Sequence, residues 1–282
     1  MIHVSLLFTN SSPTILDHYF STMLAILTNL INLFLTFLGA LTAGTNHSMQ
    51  EAFQQAGITA VSLDASSSEG QFTCGNDVLK SLGKPGTFLH LTELLFNGSR
   101  IKDFNLVYLH HLPKLSVLNL DNTGIGNEAV YLLVPLKRTL TVLSLAMNPN
   151  ITSESVPALL LLANLAFLSI LGTGVDMDGL RLIAKTILEE GRNIDIEIPC
   201  ACKDYMDNLG SMYLVHIQPP LVASPDDCSS LSIATVKENL AAHSKQNPRI
   251  MASGTRDEMI ARLQDLLTKR QMDLVVAWLV GL

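Results

Sequence analysis

The stretch LTVLSLAMN at residues 140–148 decides how the middle of this 282-residue chain is read. Leu140, Leu143 and Leu145 stand at fixed spacings within it, and Asn148 closes it. The same spacing recurs as Leu91, Leu94, Phe96 and Ser99, as Leu115, Leu118, Leu120 and Thr123, and as Leu165, Leu168, Ile170 and Thr173. The copies begin 24, 25 and 25 residues apart. A further apolar residue follows in each: Ile101, Ile125, Val175, and Ile151 one place late because Pro149 is inserted. A fixed period of this length marks a stack of similar supersecondary units.

In each copy the L-x-L pair points both side chains to one side of a short strand. A polar turn follows, and 127–136, 153–162 and 178–189 are expected to return the chain as helices. No copy can bury its apolar face alone, so the copies must stack, with parallel strands side by side. The expected fold class is α/β: a short solenoid of parallel strands and helices with a small C-terminal helical module. Residues 194–198 (IDIEI) read as a degenerate fifth strand, and 61–63 (VSL) as an irregular leading one.

These copies resemble the leucine-rich repeat family over about 88–198. Their variable halves, TGIGNEAV at 123–130 and TGVDMDGL at 173–180, are similar to ribonuclease-inhibitor-like and F-box-associated repeats. The chain departs from the family where an asparagine is usual. Only Asn148 holds that residue, and the hydroxyls of Ser99, Thr123 and Thr173 offer fewer hydrogen-bonding groups. The resemblance implies a non-enzymatic protein that binds a protein partner. The repeat style implies, as one alternative, the substrate-recognition subunit of a ubiquitin ligase, although the N-terminal region holds no F-box pattern.

Function in stacked repeats sits on the sheet positions between the core leucines. One expected column is Glu93, Val117, Val142 and Phe167. The next is Leu95, Asn119, Ser144, Ser169 and Asp195, and a third is Asn97, Asp121, Ala146, Leu171 and Glu197. None of these is Lys or Arg, and binding phosphates would need cations, so nucleic acid is excluded as the ligand of this face. Val117, Val142, Phe167 and Leu171 read as an apolar strip bordered by Glu93 and Asp121, the kind of surface that contacts a protein. The competing expectation is that another part of the chain covers the strip.

Outside the repeats, composition narrows the reading. Hydrophobic residues make up 48% and charged ones 15%, with mean hydropathy +0.33, which excludes overall disorder. A net charge of -7 argues against a protein that coats nucleic acid. Four cysteines make no disulfide framework and read as ordinary thiols of a reducing compartment. The histidines form no metal-ligand spacing, and there is neither a Walker loop nor a G-x-S-x-G, so no catalytic group, metal or cofactor is expected. Residues 1–45 form an apolar N-terminal segment. Within it, 20–41 is long enough to cross a bilayer, which makes a membrane-anchored repeat protein another alternative. Residues 46–87 are expected to cap the repeats at 88–199, and 200–230 reads as a linker.

Residues 231–282 carry seven Lys/Arg against five Asp/Glu, a net of +2, where the preceding residues carry -9. Within them, IMASGTRDEMIARL at 250–263 resembles the second half of a SAP motif. That resemblance implies weak contact with DNA and a nuclear or cytoplasmic place. The residues singled out for it are Arg249, Ser253, Thr255 and Arg256, at a helix start whose N–H groups could receive a phosphate.

Overall fold

The computed structural model describes residues 59–62, 79–80, 82–83, 86 and 88–281. The candidate membrane stretch at 20–41 lies outside them. Among the described residues no helix is long and apolar enough to cross a membrane.

Six three-residue strands form one parallel sheet in sequential order: β1 Ala60–Ser62, β2 Glu93–Leu95, β3 Val117–Asn119, β4 Val142–Ser144, β5 Phe167–Ser169 and β6 Asp195–Glu197. The register aligns Val61, Leu94, Leu118, Leu143, Leu168 and Ile196. The last five of these are buried. The other repeated apolar positions, Phe96, Leu120, Leu145, Ile170, Ile101, Ile125, Ile151 and Val175, join the same core. Truncating one such leucine to alanine removes about 2–5 kcal/mol.

The lattice continues past the strands into the turns. The N–H groups of Gly98, Asn122 and Met147 donate to the carbonyls of Asp121, Ala146 and Leu171, one copy onward. Together with Gly172 these residues occupy one repeated turn position, and all four have positive φ, at 71°, 53°, 58° and 67°. Met147 is the costly occupant, because an unbranched L side chain there loses about 1 kcal/mol or more.

Asn148, fully buried, ties two copies together. Its Nδ2 donates to the carbonyls of Leu120, Leu145 and Ala146, and its Oδ1 accepts from the N–H groups of Thr123 and Gly124. The hydroxyls of Thr123 and Thr173 each reach the carbonyl three residues back at 2.7 Å, and that of Thr123 also lies 3.4 Å from Asn148 Oδ1. A second ladder precedes the strands: Thr92 donates to Thr59, Ser116 to Thr92 and Thr141 to Ser116, each from hydroxyl to carbonyl.

The return segments differ in length. A 3-10 helix spans Asp103–His111, and α1 (Asn127–Leu133) runs on as a 3-10 turn through Leu136. A 3-10 turn at Ser153–Ser155 leads into α2 (Val156–Leu160), and α3 (Met177–Glu190) is the longest return. Asp176 caps α3. The Ser153 hydroxyl and the Gly179 N–H, helped by that of Asp178, hold its carboxyl below the usual carboxylate range despite partial desolvation.

The long α3 shifts the last strand relative to the expected columns. Asp195 pairs with Phe167, and Glu197 with Ser169, so each stands two residues from its expected place beside Ser169 and Leu171. Alternation in IDIEI has period two, so a slip of two keeps the same side chains inward and leaves the pattern silent about register. The bonds from Asp195 N–H to Ala166 and from Ile170 N–H to Glu197 settle it.

Beyond β6, residues 200–230 hold more order than a linker: α4 (Cys200–Asp207), α5 (Leu209–Met212) and a 3-10 helix at Pro225–Ser230. Cys202, Met206, Leu209, Tyr213 and Cys228 from this region are buried in the common core. Then come α6 (Ile233–Ser244) and α7 (Arg256–Leu279), and α7 packs against α3, α6 and the 3-10 helix. Fully buried Asp273 fastens α7. Its carboxylate accepts from Arg181 of α3 at 2.7 and 3.2 Å, from Tyr205 at 3.1 Å and from Tyr213 at 2.7 Å. Burial and the Asp273 charge push the Tyr205 hydroxyl up to about 12 and raise that of Tyr213 as well.

Candidate protein-contact face

The sheet face is built from residues that flank the core row. Register places Glu93, Val117, Val142, Phe167 and Asp195 side by side. Neighbouring strands lie about 4.8 Å apart, so this row runs about 19 Å from carboxylate to carboxylate. Val117, Val142 and Phe167 are half-buried, as is Glu93, while Asp195 is exposed. Neither Glu93 nor Asp195 forms an ion pair with a described Lys or Arg.

Leu171 lies outside the row. It stands four residues along from Phe167, about 13 Å up the chain, and is 38% exposed. Between them runs a second row: Leu95, Asn119, Ser144, Ser169 and Glu197. The expected single strip is therefore divided by polar residues.

Asp121 proves to be internally satisfied. Its carboxylate accepts from the Ser144 hydroxyl, from the Ala146 N–H at 2.8 Å and from Asn119 Nδ2 at 2.7 Å. Asn119 Oδ1 in turn accepts the Asp121 N–H at 2.9 Å. A carboxylate with these partners braces β3 against β4 and has little left to offer an incoming cation.

Sequence reasoning placed Ser169 on this face but did not single it out. It is 2% exposed, and its Oγ has no hydrogen-bond partner. Its row neighbours are Ser144 and Glu197. The available signal was a lone serine in the same alternating register as two large apolar residues, Phe167 and Leu171.

The C-terminal candidates come out differently from the free helix start expected of them. Thr255 and Glu258 form a reciprocal capping box: the Thr255 N–H donates to Glu258 Oε2 at 2.9 Å, and Thr255 Oγ accepts the Glu258 N–H. Those bonds hold the exposed Glu258 carboxyl below its usual range, so a negative charge already occupies the helix start. Arg256 donates to the carbonyls of Ser229 and Leu231, and the Ser253 carbonyl accepts from Arg262. Arg249 is exposed, and its N–H is held by Asn247.

A separate apolar surface lies between α3 and α7. There Leu188, Leu274 and Val275 adjoin Trp278, which is 68% exposed. Among the described residues no group of His, Cys, Asp and Glu has metal-holding geometry. No protein-family model matches the chain, and no curated protein matches it either.

Proposed function

We propose that this protein is a non-enzymatic adaptor whose repeats form a short leucine-rich-repeat solenoid and bind a protein partner on the inner face of the sheet. The observation that carries the reading is the row Val117–Val142–Phe167. It consists of three apolar side chains on adjacent strands that point away from the core leucines and keep part of their surface open. Apolar rows rimmed by polar groups are a common form of protein-contact surface.

The C-terminal helices are assigned to closing the repeat stack. Asp273 of α7 binds α3 directly, and the start of α7 is occupied by its own Glu258. That arrangement favours a capping role over DNA contact at Arg249, Ser253, Thr255 and Arg256.

The test compares full-length wild type with Phe167→Asp and Trp278→Ala in affinity capture from native extract, with thermal melting of each. The expected result is a captured protein lost with Phe167→Asp at little change in melting temperature, and retained with Trp278→Ala. Loss with Trp278→Ala alone would move the contact to the α3–α7 surface and overturn the reading. A large stability loss in Phe167→Asp would show the row to be internal packing.

A further inference from the structure

The inner sheet face is unequal from end to end, and its β6 end combines two features found nowhere else along it among the described residues. Asp195 and Glu197 are both exposed there, two residues apart on one strand and so on one side of it. No described Lys or Arg pairs with either. Beside Glu197 in the same row is Ser169, buried with its hydroxyl unpaired. Buried polar groups without partners are rare enough to need a reason, and each costs about as much as a lost hydrogen bond. An unmet hydroxyl beside two unmet carboxylates describes a place for a group that carries several N–H donors and a positive charge.

Resting on the protein-contact reading above, we propose that the partner presents an arginine over β6, next to apolar side chains that lie on Phe167, Val142 and Val117. Lysine offers a point charge, whereas guanidinium offers five N–H donors in a fixed fork. Arginine can therefore bridge Asp195 and Glu197 and still donate to Ser169 Oγ as the exposed Glu197 side chain turns to receive it. The partner segment runs across the strands. Extended, it covers the row's ~19 Å with about six residues. Its other end meets Glu93, which favours a second basic residue there. Asp121 takes no part, because its oxygens are committed to Asn119, Ser144 and Ala146.

The full chain is panned against a library of random peptides of about 12 residues, twice the length needed to cross the row, and selected peptides are titrated by fluorescence anisotropy. Peptides that lose binding to Phe167→Asp are expected to contain an arginine close to two or more apolar residues. For them, Asp195→Asn with Glu197→Gln should weaken binding about tenfold at low salt, with a smaller effect at high salt. Ser169→Ala should weaken it about threefold, in keeping with one lost hydrogen bond, while leaving the free protein at least as stable. Replacing the peptide arginine by lysine should also weaken binding. If peptides sensitive to Phe167→Asp ignore the Asp195/Glu197 double change, the arginine site is wrong and the contact face stands. If no selected peptide responds to Phe167→Asp, both readings fall together.

Discussion

Asn148 shows how much a parallel sheet and its turns can rest on a single amide. One fully buried side chain satisfies three carbonyls and two N–H groups of two consecutive turns. Replacing it by alanine leaves those groups without partners, and the expected loss is about 3 kcal/mol or more. Asn148→Thr should fall between, since the Thr173 hydroxyl holds its own turn through a single bond to the Ile170 carbonyl. Chemical denaturation of the three proteins checks that order, and equal stability of Ala and Thr variants would deny the hydroxyl its part. This position was legible in the sequence because its spacing from the leucines is fixed. The isolation of the Ser169 hydroxyl was not legible, since no local pattern reports which neighbours a serine will lack.

Among elements, the strands were the most legible and the C-terminal helices the least. A strand in this architecture announces itself through leucines that must face the core. The β6 register stayed hidden because its alternation is unchanged by a two-residue slip, and the length of α3 decides it. The helices at 200–212 are short, and they are held by burial of Cys202, Met206 and Leu209 rather than by any repeated spacing. For α7 the signal was present but indirect: Asp273 sits in an apolar run, QMDLVVAWL at 271–279, where an unpaired carboxylate would be expensive. Its partners could not be read, because Arg181 lies 92 residues away in sequence. Asp273→Ala removes the carboxylate that Arg181, Tyr205 and Tyr213 share, and a broken buried pair costs about 3–5 kcal/mol. Hydrogen exchange should then quicken along Arg256–Leu279 while β3 and β4 keep their protection. Uniform quickening across the chain would mean that α7 does not open as a unit.

At the scale of the whole molecule, one buried histidine ties stability to pH in mildly acidic solution. His243 of α6 is fully buried, its Nδ1 accepts the Leu214 N–H at 3.0 Å, and its Nε2 has no partner. Burial, with the charge of Arg270 from α7 beside it, pushes the imidazole down to about 4. The folded value is below the unfolded value of about 6.5, so the fold favours the neutral ring. That contribution is complete above pH ~6.5, and it is lost as the pH falls toward about 4, by an amount on the order of 3 kcal/mol. The lowered carboxyls of Asp176 and Glu258 lose theirs in more acidic solution. Melting temperature should therefore decline between pH 6.5 and 4.5 in wild type and decline less steeply in His243→Gln, whatever the variant's stability at neutral pH. Parallel slopes would remove His243 from the account. The Arg181–Asp273 fastening carries a further consequence, in biosynthesis. The arginine leaves the ribosome 92 residues before the aspartate that secures it. At roughly 5–20 residues per second that is an interval of about 5–20 s. Until α7 emerges, the side of α3 that it covers stays open on a nascent chain, so that interval is the one in which a chaperone would serve it.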